Sequence, residues 1–371
     1  MGQAHGSLIL LAHWQSRAAR KEESLLKRWL KIALKSLIVL IALVLVAGTV
    51  YEQLSRRRDR ARLPQIGASY DIGGRSLNLF CSGSGTPTVI LESASGIGLE
   101  FQPAQTEIAK FTRACWYDRA GMGWSDPGPF PRTASALADD LHALLHRAGV
   151  TPPYVLAGYS YAGLPMRVFA GRYTSEVAGM VLIDTTHEDE PLRAPRFYLA
   201  RTAPRYLWHP IHIAFESAAF VGLVRLTQSP RPPDRNADRD VQPTLINGMT
   251  SDEILSILRI EPAAYVAANS TGVVSPESYA EAAAAPGIGD RPLLVLTAGK
   301  PFDFGDPELN RQAAAYQQIW VHEIQPKLLR LSSDSRQIVV PNANHGSMPQ
   351  ELVISSIREV VTEVRGGAAP H

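Results

Sequence analysis

Cysteine is nearly missing from this chain: 371 residues hold two, Cys81 and Cys115. That count excludes a disulfide-dense scaffold, and the spacing of the pair fits no metal-binding pattern. They are two buried thiols or one disulfide. A surplus of one charge is missing too. Lys and Arg number 37 against 35 Asp and Glu, and a net +2 gives no basis for nucleic-acid binding. No internal repeat is visible. With 45% hydrophobic and 19% charged residues, the composition is that of a globular protein rather than a disordered one. The length suits one large domain with an insertion, or two modest ones.

What is present begins with one long apolar run. Residues 36–51, SLIVLIALVLVAGTVY, carry no charge. As a helix this run spans about 24 Å, and extension back to Ile32 brings it toward the ~30 Å of a bilayer core, with Lys35 reaching for the headgroups. A buried core helix and a cleavable signal peptide ending near VAG are the alternatives. The long segment ahead of the run argues against cleavage, so residues 32–51 are read as an uncleaved single-pass membrane helix. Lys21, Lys27, Arg28, Lys31 and Lys35 precede it and Arg56, Arg57, Arg58, Arg60 and Arg62 follow, so the positive-inside rule nearly cancels. A long folded region after a first apolar segment points to a domain lying outside the cytoplasm. Residues 1–31 are then a cytoplasmic or unstructured segment, and residues 52–66 a polar tether.

Beyond Pro64 the pattern changes. ASYDIGGRSLNLFCSG offers two alternating runs around Gly73-Gly74, a hairpin signal. TPTVILES, RACWYD, YVLAG, GMVLID, LLVLTAG and SRQIVVP are apolar, β-branched runs of the kind buried on both faces of a sheet. Helical patterns lie between them, among them 133–147 with Leu137, Leu141, Leu144 and Leu145 on one face, a segment around 307–331, and a final amphipathic stretch. Such alternation predicts an α/β fold with a mainly parallel sheet covered on both sides. From 188 to 290 no convincing strand occurs. HPIHIAFESAAFVGLVRL, SDEILSIL and SPESYAEAAA read as helices, and SPRPPDRNADRDVQP as a loop, so 188–290 is expected to be a helical lid inserted into a core of 67–187 and 291–371.

The chemistry concentrates at GYSYAG, where a strand runs into a helix. A sharp turn there demands small neighbours, and Gly158, Ala162 and Gly163 supply them around Ser160. The geometry exposes the serine hydroxyl and aims helix N-terminal amides at it. Ser160 as a plain helix cap is the alternative. A serine needs a base. His345, in VPNANHGS after the last predicted strand, is the candidate, with His187 its rival. Asp184 at the end of GMVLID, and Asp303 and Asp306 in GKPFDFGD, are candidates for the acid that orients the base. The amides of Tyr161 and Ala94, the latter in ESASGIG, are expected to form an oxyanion hole.

TVILESASGIG, CWYDRAGMGWSDPGP, YVLAGYSYAG, GMVLIDTTHED and NANHG occur in the order nucleophile, acid, histidine. In this the chain resembles the α/β-hydrolases from about Tyr70 to Val364, and esterase-like, membrane-anchored members most. YDRAGMGWSD adds a likeness to proline iminopeptidases. The resemblance implies a mostly parallel eight-stranded sheet, and a serine hydrolase acting on a carboxylic ester or similar acyl bond of a small-molecule substrate. It implies no metal or organic cofactor, and places the strands bearing Cys81 and Cys115 side by side, where an oxidising compartment would allow a disulfide. Glu92-Ser93 stands where many members have His-Gly. The usual acid after the seventh strand corresponds to Asp303, set one residue late, whereas other members take it from the end of strand six, where Asp184 stands. Ser160, His345 and Asp184 are therefore the expected triad. An aminopeptidase that holds a substrate ammonium through Glu188, Asp189, Glu190 or Glu216 is the second reading. A catalytically silent, membrane-tethered binding module is the third.

Overall fold

Side chains along a strand point alternately to its two faces, and in the central strands here both faces are apolar. The computed structural model, which describes residues 3–63, 65–195, 214, 216–227, 249–273 and 275–367, has the sheet those runs predict. Its strands are β1 (Ala68–Asp71), β2 (Ser76–Ser82), β3 (Thr88–Glu92), β4 (Ala114–Tyr117), β5 (Tyr154–Tyr159), β6 (Val177–Ile183), β7 (Leu293–Ala298) and β8 (Ser335–Val340). They pair in the order β1-β2-β4-β3-β5-β6-β7-β8, with β2 antiparallel to both neighbours and the other pairings parallel.

Period two then divides the core. Ile90, Leu156, Met180, Leu182, Leu293 and Val295 face one side, against α3 (Ala134–Arg147) and α4 (Gly163–Arg172). Val89, Leu91, Val155, Val181, Leu294 and Leu296 face the other, against α2 (Gln102–Ile108) and the final helix Gln350–Gly367. Thr133 caps α3 through its side chain, and Gly149 follows that helix with a φ of 64°.

Among the described residues of 188–290, the regular elements are helical: Glu190–Arg193, Leu223–Thr227, Ser251–Arg259, Pro262–Val273 and Ser275–Ala284. SPRPPDRNADRDVQP and the first part of HPIHIAFESAAFVGLVRL lie outside the described residues.

α1 runs unbroken over Gln3–Arg62 and corrects two expectations. Residues from Gln3 onward are helical where an unstructured segment was one of the two alternatives. The 52–66 stretch, expected as a tether, is helical through Arg62. Three of its charged side chains, Glu52, Asp59 and Arg60, pair with distant residues. Arg225 holds Glu52 through two bonds of 2.8 and 2.9 Å and also pairs with Asp59. Arg60 donates to Glu261 at 2.6 Å and to the Gly123 carbonyl at 2.9 Å. Just beyond, Leu63 is buried in the same core cluster as Ile254 and Leu258. Further up, Leu37, Leu40, Val44 and Val50 stand bare. α1 is the one described helix long and apolar enough to cross a membrane.

Cys81 and Cys115 lie directly opposite each other on β2 and β4 and form a disulfide, with Cα atoms 4.1 Å apart. The bridge closes a loop with a sequence separation of 34. The chain-entropy relation gives such a loop about 3–4 kcal/mol of stability. Replacing both cysteines by alanine is expected to cost that much in a denaturant titration of the solubilised chain. An unchanged midpoint would mean that the bridge does not constrain the unfolded state.

Candidate active site

Two residues other than glycine have a positive φ among those described: Ser160 at 55° and Asp184 at 44°. Both sit at the first position past adjacent parallel strands. Tyr159 on β5 pairs with Ile183 on β6, so the next residue of each strand emerges at the same height. β3 ends level with them, since Glu92 pairs with Gly158, and this sets the 93–97 loop beside the serine. β8 ends at Val340, paired with Ala298 of β7, and the chain returns toward the same edge through His345.

The turn after β5 works because its neighbours are small. Ser160–Ala162 form a single tight turn before α4. A Cβ on Gly163 would stand 2.4 Å from Cβ of Thr185, so the start of α4 can lie against the end of β6 only with glycine there. Ala162 is fully buried and the turn forms around it.

His345 bridges the two strained residues. Its Nε2 lies 2.8 Å from Oγ of Ser160 and its Nδ1 2.6 Å from Oδ2 of Asp184. A carboxylate only accepts, so Nδ1 carries the proton and Nε2 is left to accept from the serine hydroxyl. Tyr159 stacks on the imidazole at 5.3 Å and Phe302 meets it edge-on at 6.3 Å, which fixes the ring plane. Asp184 is buried and takes two further bonds on Oδ1, from the Ala298 amide at 2.9 Å and Trp320 Nε1 at 2.8 Å. No sequence signal identified Trp320, which reaches Asp184 from an apolar helix end 136 residues away.

The other candidates are elsewhere. Asp303 is exposed and accepts from the Gly305 amide and the Asn310 side chain, while Asp306 caps the helix Pro307–Ile319. His187 is buried, and its Nδ1 accepts from the Asp189 amide. Of the carboxylates that could hold an ammonium, Glu188 is paired with Arg167 and Asp189 with Lys327. Glu190 differs. No described residue donates to its carboxyl, and burial pushes its pKa up to about 7, with the positive charge of His345 acting against that rise.

The loop bearing Ala94 is braced from below. Arg119, almost wholly buried, pairs with Glu92 at 2.6 Å and donates to the Ser93 and Ala94 carbonyls at 3.0 and 3.2 Å. The same guanidinium lies over the Tyr161 ring at 5.2 Å. Glu92, in place of the histidine seen in many α/β-hydrolases, thus anchors a cation that touches both residues expected to supply the oxyanion amides. Beside this loop is a cavity of about 230 Å³ lined by Ser93, Phe101, Tyr159, Ile183, Met348 and Val353. The Tyr161 side chain packs under the helix Ser275–Ala284, with its hydroxyl 3.3 Å from Ser278.

A family model described as the alpha/beta hydrolase fold matches residues 112–255, which include the elbow and Asp184. The chain has the α/β-hydrolase fold. The uncharacterized protein YbdG of Bacillus subtilis is 28% identical over 158 residues, 42% of this chain and 49% of YbdG. An AB hydrolase superfamily protein of Gibberella zeae is 38% identical over 107 residues, 28% of this chain and 33% of that protein. The chain therefore spans about half or less of the length of these curated relatives. An esterase from Thermogutta terrifontis superposes with a TM-score of 0.52 at 22% identity, over 80% of this chain and 98% of its own, which establishes the shared fold.

The geometry fixes a pH dependence. Burial lowers the His345 pKa, but its hydrogen bond to Asp184 and the charges of Asp184 and Glu190 outweigh this and hold it above the ordinary 6.5. A base must be neutral to accept a proton, so kcat/KM for an activated ester is expected to fall with pH along a limb centred above 6.5. Glu190→Gln removes one of the raising charges and is expected to move that limb to lower pH. A limb that stays in place would show that Glu190 does not act on the imidazole.

Proposed function

We propose that the protein is a serine hydrolase that cleaves a carboxylic ester, or a similar acyl bond, through an acyl-enzyme on Ser160. The observation that carries this reading is the unbroken chain of hydrogen bonds Ser160–His345–Asp184 at 2.8 and 2.6 Å. In the first half-reaction His345 Nε2 takes the hydroxyl proton as Oγ attacks the carbonyl carbon. The same proton then passes to the departing alkoxide. Water, deprotonated by His345, attacks the acyl-serine in the second half-reaction, and the acid leaves with Ser160 restored. Asp184 holds the imidazole in the useful tautomer and balances its charge in both halves. The amides of Tyr161 and Ala94 are proposed to donate to the tetrahedral oxyanion, where one donor is typically worth about a hundredfold or more in kcat.

The cavity beside the 93–97 loop, at about 230 Å³, is smaller than the roughly 300–1,000 Å³ of pockets that enclose drug-sized ligands. It suits one half of an ester, a short acyl or alcohol group. An aminopeptidase is the second reading. Glu190 favours it, because a carboxyl with no donor among the described residues, near His345, is suited to a substrate ammonium.

The bare apolar side chains of α1 support a single membrane crossing, and the Cys81–Cys115 disulfide supports a catalytic domain on the oxidising, extracytoplasmic side. In this arrangement 67–187 and 291–371 form the catalytic core and 188–290 the lid.

Fluorophosphonate labelling tests the mechanism. The native chain should label and Ser160→Ala should not; equal labelling of the two, or none of the native chain, would remove the mechanism. Asp184→Asn should lower kcat on the order of ten-thousandfold, and Asp303→Asn should leave it nearly unchanged. The reverse result would transfer the acid to Asp303. Turnover of an aminoacyl-arylamide well above that of simple esters, lost in Glu190→Gln, would favour the aminopeptidase.

A further inference from the structure

The lid touches α1 inside its apolar run, not only beyond it. A Cβ on Gly48 would stand 2.4 Å from the Val221 carbonyl oxygen, and one on Gly222 would stand 2.9 Å from the Tyr51 ring. Gly48 lies about 4–5 Å along the helix before Tyr51, where the run ends. The 216–227 part of the lid therefore sits level with the last turn of the apolar segment.

That part is apolar on two sides. Its inner side packs Ala219 and Val224 against Ile260, with Tyr265 at the edge. Its outer side leaves Phe220, Leu223 and Leu226 bare, at 46, 52 and 65% exposure. A third side carries Arg225, which locks onto Glu52 and Asp59 of α1. One ordinary inner face would satisfy a water-exposed lid. The second apolar face needs an apolar medium, and the adjoining medium is the one α1 crosses. Past the run, Arg57 and Arg58 are exposed within two turns of Tyr51, at the height where headgroup phosphates would lie.

We infer that the lid segment 216–227 lies in the interfacial layer of the membrane that α1 crosses, with Phe220, Leu223 and Leu226 inserted among the lipids. This rests on the reading of α1 as a membrane helix. The occupant of the bare face is the bilayer itself, and the exposed arginines favour anionic lipid. Such insertion typically reaches about 5–10 Å into the boundary between headgroups and acyl chains.

Depth-dependent quenching tests it. The two native cysteines are bonded to each other, so a single introduced cysteine can take an environment-sensitive nitrobenzoxadiazole label. Leu226→Cys, Leu43→Cys and Leu192→Cys are each labelled in the full chain and reconstituted into phosphatidylcholine–phosphatidylglycerol vesicles. Leu43 reports the middle of the anchor and Leu192, at 80% exposure, a site away from it. The expected result is loss of emission at 226 with shallow spin-labelled lipid, at 43 with deep spin-labelled lipid, and at 192 with neither. Quenching at 43 with none at 226 would overturn the inference and leave the anchor standing. No quenching at either position would remove the anchor reading, and the inference with it. As a second arm, Leu223→Glu with Leu226→Glu should abolish the shallow quenching of a label at Phe220→Cys. Retained quenching in that variant would equally overturn the inference.

Discussion

The parallel register between β5 and β6 is the constraint on which the site depends. With Tyr159 opposite Ile183, the two strands release their next residues side by side, and both turn into left-handed backbone. Each such residue costs on the order of 1–3 kcal/mol and persists only where its surroundings over-determine it. The surroundings do so from both directions. Gly163 lets α4 press against Thr185, and the Ser160 carbonyl accepts the Thr186 amide at 3.0 Å, tying the serine turn to the aspartate turn. A slip of one residue would turn every apolar side chain of these strands to the wrong face of the sheet. The core that prevents the slip is thus also what holds Ser160 level with Asp184.

Much of this was legible as pattern. The apolar runs marked the central strands, because a strand buried on both faces has no other composition available to it. The elbow was legible because a sharp turn admits few residue types. His345 was legible because loop-forming neighbours after the last strand leave its ring free at the sheet edge. The acid was harder. Asp184 and Asp303 both follow strands, and local sequence weighs them nearly equally. What distinguishes them is the Trp320 indole and the Ala298 amide, which converge on Asp184 from distant segments, while Asp303 bonds within its own loop. The tether expectation fails for the same reason. RRRDRAR looks solvated because its neighbours in sequence are charged, yet Glu52 and Arg60 find their partners 173 and 201 residues away. Pattern reveals burial period well. It is blind to the distant partner that makes a buried charge tolerable.

Glu92 and Arg119 illustrate the point within the site. A loop that must hold an amide in position is often built from small residues that let the backbone turn. Here a buried cation holds the loop by its carbonyls, and Glu92 compensates that cation at 2.6 Å. Removing either partner leaves a buried charge alone, which typically costs about 3–5 kcal/mol. The arrangement gains positional control of the Ser93–Ala94 turn, and contact with Tyr161 joins that turn to the residue after Ser160.

The continuous α1 changes what an anchor implies. A flexible tether of residues 52–66 would let a catalytic domain tumble, with its mouth at any angle to the bilayer. A helix is stiff, and its last turns are held at several points: by Arg225, by Glu261, by the Gly123 carbonyl and by Leu63 in the core. From Tyr51 to Arg62 such a helix rises about 16 Å, which sets the height of the core above the apolar run. If α1 crosses the membrane, the domain is fixed in tilt as well as in distance. The lid, bound to the same turns, then meets the bilayer at a set depth. The contacts of Arg225 with Glu52 and Asp59, and of Arg60 with Glu261, are what tie segment 216–227 and the helix Ser251–Arg259 region to these turns.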